Sequence, residues 1–248
     1  MDPQVEKLLQ IPQTVQRSPE WFEQRNNAIT ASDIPTVLGE NKYKSAWSLL
    51  MDKCNANPKP FVGNDATRWG THYEDTAIEK YSELRNKEVL SFGLLIHPEY
   101  SWLGGSPDGI TKDGILLEVK CPLKRKIVHG ECPEHYRSQV LLNLEICNLE
   151  MAHFIEFVPG SSDNDYEINI VEIPRDREWF AEKVVVMKEF WDSIVKHRAE
   201  GIETHPKWAS YKKRSDTIQR NKKLKMELSD PEPEYIPKES NSFFLEEY

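Results

Sequence analysis

Gly104-Gly105-Ser106-Pro107-Asp108-Gly109, followed shortly by Ile115-Leu116-Leu117-Glu118-Val119-Lys120, is the stretch on which the fold turns. It reads as two short strands joined by a turn. Side chains alternate along a strand, so Ile115, Leu117 and Val119 point one way and Leu116, Glu118 and Lys120 the other. A carboxylate and an amine two residues apart therefore share a face, on a strand that three apolar residues can anchor in a core. A hairpin would fold Asp108 back beside Glu118. Two adjacent carboxylates repel unless a cation or proton lies between them. A hard divalent metal with oxygen ligands satisfies that need, and Lys120 beside it could orient a water. Taken alone, the stretch would equally serve as a solvated surface hairpin.

The remaining composition sets wide bounds. The 248 residues suffice for one large domain, or for a domain with an appendage. A hydrophobic content of 38% and a charged content of 29% fit a globular protein. No apolar run approaches membrane-spanning length and Met1-Asp2-Pro3-Gln4 does not open a signal peptide, so the expectation is an intracellular protein without a membrane partner. The net charge of −9 argues against a polyanionic partner only at long range, because a phosphate-tracking groove needs local Lys and Arg clusters. Cys54, Cys121, Cys132 and Cys147 show no C-x-x-C spacing, which disfavours zinc or an iron–sulfur cluster and leaves reduced structural thiols.

Along the chain, residues 1–17 read as a loose polar lead-in. Ser18-Pro19-Glu20 starts a helix that runs to about Asn27, and Thr30–Asp33 starts a shorter one that Gly39 can end. A third covers Ser45–Cys54, and a loop follows over Asn55–Asn64. A long helix spans Ala66–Arg85, with an apolar stripe of Trp69, Tyr73, Ala77, Tyr81 and Leu84 and with Glu74 beside it. Val89–His97 reads as a strand, with a short piece near Ser101–Leu103 before the hairpin. Pro133–Cys147 is helical, Met151–Val158 and Tyr166–Ile173 are strands, and Arg175–Ala199 is an amphipathic helix. Its inward face would be Trp179, Phe180, Val184, Met187, Trp191, Ile194 and Val195. Residues 1–206 thus form an α/β domain. Residues 207–248 form a charged extension, basic over Lys207–Lys225 and acidic after it, whose composition allows partial disorder.

Pro107-Asp108 with Glu118-Val119-Lys120 resembles the PD-(D/E)XK nuclease signature. Four further segments fit the same pattern. Trp21-Phe22-Glu23-Gln24-Arg25 with Ile29-Thr30-Ala31-Ser32, and Trp69-Gly70-Thr71-His72-Tyr73-Glu74, resemble motifs of the lambda-exonuclease (YqaJ-like viral recombinase) family. So do Leu117-Glu118-Val119-Lys120-Cys121-Pro122 and Tyr136-Arg137-Ser138-Gln139-Val140. All occur in order across about residues 19–145. The resemblance implies a restriction-endonuclease-like core with a central mixed β-sheet flanked by helices. It also implies a Mg²⁺-dependent 5′→3′ exodeoxyribonuclease acting on linear duplex DNA. The products would be 3′ single-stranded overhangs for recombination or end processing, in the cytoplasm or nucleus of an infected cell if the source is viral.

The same resemblance assigns roles. Asp108, Glu118 and the Val119 carbonyl would hold one Mg²⁺, Glu74 would reach a second, and Mn²⁺ would substitute. Lys120 would orient and activate the attacking water. Arg25, Ser32, Ser106 and Gln139 would form a pocket for a terminal 5′-phosphate. A single-strand annealing protein is a candidate partner. A ring-shaped homotrimer is a candidate assembly, against which stands the long charged extension. The sequence departs from the pattern at Asn143, four residues after Gln139, where related nucleases often carry tyrosine.

Plainer readings stand beside these. Arg25 could be a surface helix residue, Ser32 only an N-cap, and Gln139 a polar face residue. His72 falls on a different helix face from Glu74 and reads as a non-ligand. Trp21 and Trp69 read as core. Lys124, Arg125 and Lys126 suit either a DNA path or a solvated loop. The whole site could serve an endonuclease or an RNA-active nuclease. It could also belong to a silent DNA-end-binding accessory protein, or to an adaptor docking through Phe243–Tyr248.

Overall fold

In the computed structural model, residues 1–56 and 63–228 are described, with side chains through residue 221. The expected loop at 55–64 lies largely outside them, as does the acidic segment from 229 onward. The chain divides into one unit over Met1–Gly201 and a second beginning at Ile202.

The first unit is mixed α/β. Its elements are α1 (Pro3–Leu9), α2 (Pro19–Asn26), β1 (Ile29–Thr30), α3 (Ile34–Val37), α4 (Ala46–Lys53), α5 (Asp65–Arg85), β2 (Val89–Leu90), β3 (Leu95–Ile96), β4 (Leu103–Gly105), β5 (Gly109–Thr111), β6 (Ile115–Lys120), α6 (Glu134–Cys147), β7 (Met151–Pro159), β8 (Tyr166–Pro174) and α7 (Arg177–Glu200). A 3₁₀ turn, Ala31–Asp33, leads into α3. Five strands form one sheet in the order β2-β5-β6-β7-β8, and three form another in the order β1-β4-β3. Within the larger sheet only β6 and β7 run parallel, joined through α6. In the smaller one β1 and β4 are parallel.

The alternation read from β6 places its two faces against two helices. Leu117 and Val119 pack with Ala77 and Tyr81 of α5, and with Ile155 and Phe157 of β7. The opposite face looks toward α6. That helix buries Ser138, Val140, Leu141, Leu142, Asn143, Leu144, Ile146 and Cys147, burial on too many sides for a surface helix. The stripe on α5 holds for Trp69, Tyr73, Ala77 and Tyr81, with Ile78 joining them. Leu84 is 52% exposed, in the last turn before Asn86 ends the helix in the left-handed region (φ 48°). On α7 Phe180, Met187, Ile194 and His197 are buried, whereas Val195 faces outward.

Two further readings are corrected. Val89–His97 is not one strand: Val89–Leu90 pairs with β5 in the large sheet and Leu95–Ile96 with β4 in the small one. The break sits at Gly93, where a Cβ would stand 2.3 Å from the Thr14 carbonyl oxygen, so the crossing segment requires glycine. The lead-in is also not loose. Asp2 caps α1, its Oδ1 accepting from the Gln4 N–H at 2.7 Å, with Pro3 in the first turn. Val5 and Leu8 are buried, and Gln4 Nε2 donates to the Cys147 carbonyl at 2.9 Å.

In the second unit Trp208–Leu228 forms α8, so the first part of the charged extension is helical. Among the described residues no helix is long and apolar enough to cross a membrane.

A buried anchor and a free lead-in predict different stabilities. Leu8→Ala should lower the unfolding free energy by about 2–5 kcal/mol, the cost of a core Leu truncation. A residue in a loose tail would change it by less than about 0.5 kcal/mol. Urea denaturation distinguishes the two.

Candidate active site

The hairpin does what its spacing predicts. Gly109 pairs with Leu117 and Ile110 with Leu116, so the same antiparallel register sets Asp108 opposite Glu118. Asp108 Oδ2 accepts from the Val119 N–H at 2.7 Å, and the Asp108 N–H donates to Leu117 O at 3.2 Å. Glu118 has no solvent exposure. Lys120 Nζ is ion-paired with its Oε1 and lies 5.3 Å from the centre of the Tyr136 ring.

Helix α6 holds the carboxylate from the other side. Gln139 donates to Glu118 Oε1 and Asn143 Nδ2 donates to Oε2 at 3.2 Å. These residues lie one helical turn apart and present their amides to the two oxygens of one acid. The Asn143 Oδ1 atom is buried without a hydrogen-bond partner. It packs against Gly105, where a Cβ would come within 2.2 Å of it.

Glu74 arrives from α5, with its side chain 29% exposed. It lines an open cleft of about 480 Å³ together with Thr71, Val119, Lys120, Arg125 and Tyr136. Burial and then the neighbouring Asp108 carboxylate push its pKa up to about 7, against the pull of Arg17 and Lys120. Burial pushes Glu118 up to about 7 as well, with Asp108 and Glu74 adding to the rise and Lys120 opposing it. Asp108 is also raised, by burial, although Lys120 and the Val119 N–H oppose it. Burial disfavours the Lys120 ammonium, but Glu118 and Asp108 outweigh it and hold the amine protonated.

Burial thus raises the proton affinity of all three acids around one ammonium, and Asp108 adds to the rise at Glu74 and at Glu118. That unfavourable charge pattern suits a divalent cation, and the donors on offer are all oxygen. An ionised carboxylate has about four lone-pair positions, and protein donors occupy three of those on Glu118. Among the described residues no group of three or more Asp, Glu, His or Cys side chains is arranged to hold a metal ion. The fit lies in donor chemistry and charge.

The four residues expected at a terminal phosphate are brought together in part. Arg25 Nη2 donates to Ser32 Oγ at 2.8 Å, and its guanidinium lies 4.4 Å from the Trp21 ring centre. Ser106 lies two residues past Gly104, which pairs with Thr30, and Ser32 lies two past Thr30; both serines leave neighbouring parallel strands at the same end. Ser106 itself bonds to Gly93 O at 3.1 Å and accepts from Gln16 Nε2 at 3.2 Å. Gln139 is engaged with Glu118 instead. Trp21 and Trp69 are half-buried, and His72 is exposed. Arg125 is paired with the fully buried Glu156, beside Lys120 in the sheet. The four cysteines are free thiols.

Sequence reading missed several supporting residues. Asn143 carried a signal, its helical spacing from Gln139. Lys53 carried none. Its buried ammonium bonds to Asp33 Oδ2 at 2.9 Å, Arg25 O at 2.6 Å and Ala28 O at 2.7 Å, and so fixes the backbone around Arg25 and Ser32. Gln16 and Arg17 sat in the segment read as a lead-in.

Comparison with known proteins bears on the family and the fold. Residues 20–150 match the model of the YqaJ-like viral recombinase domain. An uncharacterized protein of Acanthamoeba polyphaga mimivirus, R354, is 34% identical over 60% of this chain; the match spans 30% of that protein. Uncharacterized protein YqaJ of Bacillus subtilis is 27% identical over 86% of this chain and 68% of its own length. Among solved structures, an alkaline exonuclease from Laribacter hongkongensis superposes with a TM-score of 0.63 at 23% identity, over 82% of this chain and all of that one. The fold is therefore the restriction-endonuclease-like one expected. With more than half of its residues inside the family model, the chain belongs to the YqaJ-like viral recombinase domain family.

Proposed function

We propose that this chain is a metal-dependent deoxyribonuclease that hydrolyses linear duplex DNA from its 5′ end and leaves 3′ single-stranded overhangs for recombination or end processing. The observation that carries this reading is the meeting of Asp108, Glu118 and Glu74 around the Lys120 ammonium. Family membership and the exonuclease-like fold support it. Asp108, Glu118 and the Val119 carbonyl would hold one Mg²⁺, and Glu74 a second ion or its water shell. The ions, when bound, would make a coordinated water easier to ionise and would bring positive charge to the phosphoryl oxygens.

The chain's own residues account for the rest. Lys120 orients the attacking water and favours hydroxide beside the scissile phosphate, because its charge is held in place by Glu118. Gln139 and Asn143 keep Glu118 from rotating. Arg25 and Ser32, at the start of a helical turn, offer a guanidinium fork and a hydroxyl to a terminal 5′-phosphate, with Ser106 from the adjoining strand end.

End-labelled linear duplex incubated with Mg²⁺ should shorten from the 5′ end, while EDTA stops the reaction and a closed circle survives. Cleavage of the circle would make the enzyme an endonuclease. Glu118→Gln should reduce the rate by at least about a hundredfold, as loss of a metal-holding acid does, with duplex binding retained. A near-normal rate would reject the metal assignment. Arg25→Ala should erase the preference for 5′-phosphate over 5′-hydroxyl ends, read as the ratio of kcat/KM on the two substrates.

The raised carboxyl groups give a pH test. Their folded-state pKa values of about 7 exceed the ordinary 4.5, so their protonated forms favour the folded chain. Without metal, that contribution is complete below about pH 4.5 and is lost as pH rises through about 7. The unfolding temperature in EDTA should therefore fall between pH 5 and 8 for the parent chain, and by less in Glu118→Gln, where Glu74 remains. Mg²⁺ affinity should rise over the same interval, with proton release visible by calorimetry in two buffers.

A further inference from the structure

The segment Gln13–Arg17 is strapped across the site. Gln13 Oε1 accepts from the Gly93 N–H at 2.8 Å, and Thr14 Oγ1 donates to Gln24 Oε1 at 2.8 Å. Gln16 Nε2 donates to Phe92 O at 3.0 Å and to Ser106 Oγ at 3.2 Å. With the backbone so fixed, Arg17 adopts φ 65°, the left-handed region. That conformation costs a residue bearing a Cβ about 1–2 kcal/mol relative to glycine. Its guanidinium comes to the α5 wall of the cleft, with Nη2 3.5 Å from Thr71 Oγ1 and 4.0 Å from Glu74 Oε2.

These contacts do not offset the strain. The first lies at the limit of a hydrogen bond. The second is an ion pair whose arginine side chain is 55% exposed, and such pairs contribute about 0–1 kcal/mol. A strained backbone that presents an exposed, under-used guanidinium beside Glu74 and Asp108 is the pattern of a group placed for a ligand. The ligand must be anionic. The acids themselves repel a phosphodiester, and the Glu74 side of the cleft needs a positive counterpart to Lys120.

We infer that Arg17 binds a backbone phosphate of the strand lying in the cleft, on the Glu74 side, separately from the end-recognising Arg25. This rests on the nucleic-acid reading of the site and adds a binding residue to it. Arginine suits the task because its planar fork matches phosphate oxygens.

Arg17→Gly is the discriminating variant, since glycine takes the left-handed backbone freely and the fold should not suffer. Arg17→Lys keeps the charge and the strain. Binding of a fluorescein-labelled duplex is measured against salt concentration, with Ca²⁺ in place of Mg²⁺, alongside thermal unfolding. The glycine variant should unfold at or above the parent temperature and bind on the order of tenfold more weakly, as loss of one charged hydrogen bond predicts. Its log Kd against log salt should flatten by about 0.9, one phosphate contact. Lysine should recover much of the affinity, and both variants should keep the 5′-phosphate preference. Parental affinity and salt slope in Arg17→Gly would overturn the inference, as would failure of the parent chain to bind duplex. Loss of the 5′-phosphate preference in the glycine variant would also overturn it, by placing Arg17 in the end clamp. Arg17-dependent binding without any Mg²⁺-dependent product would sink the nuclease reading and leave this one standing.

Discussion

A fully buried carboxylate with three donors on it organises this molecule. Glu118 sits inside the protein, where an unpaired charge would be prohibitive, and Lys120, Gln139 and Asn143 each engage it. Those donors come from two elements, β6 and α6, so the acid holds strand and helix in one relation. Gly105 takes part through what it lacks, since any Cβ there would collide with Asn143. The cost of burying the acid is expressed as a raised proton affinity, shared with Glu74 and Asp108. That shared tension is a structural cost and a chemical asset at once, because it suits the site to a cation.

The two sheets divide the labour around that acid. The larger brings Asp108 opposite Glu118 through the β5–β6 register and sets Glu156 beside Lys120 through the β6–β7 register. The smaller sends Ser32 and Ser106 out from the same end of β1 and β4. Helix α6 bridges them, since it packs on both sheets and carries Gln139 and Asn143. The overall charge of −9 is thus no obstacle to an anionic substrate. Arg17 and Lys120 stand near the acids and Arg125 lines the cleft with Glu74, and short-range charge governs contact with a phosphate.

The departure at Asn143 has a physical account. Position 143 lies one turn from Gln139 on the buried face of α6, and its amide reaches Glu118 Oε2 directly. A shorter polar side chain does this because Gly105 lets the helix and β4 approach closely. The N-terminal segment shows the opposite relation between local signal and role. Asp2-Pro3 is an ordinary helix start, and residues 1–17 read as a loose polar lead-in, yet Gln13, Gln16 and Arg17 fold onto Gly93, Ser106 and Glu74.

What the amino-acid order determined by itself is what repeats locally or follows from chain geometry. The alternation along Ile115–Lys120 separates the anchoring from the reactive face, the turn returns Asp108 to Glu118, and the spacing on α5 puts Glu74 beside an apolar stripe. Helix starts at Ser18-Pro19 and Pro133 were likewise legible, because caps and proline act over one turn. The tertiary structure alone decided that Gln139 bonds Glu118, that Lys53 braces the loop of Arg25, and that Val89–Ile96 divides between two sheets. It also decided that Arg17 reaches the cleft. Those outcomes depend on which distant backbone comes within a few ångströms of which side chain. Periodicity and propensity describe a residue's neighbours along the chain and carry no term for that distance.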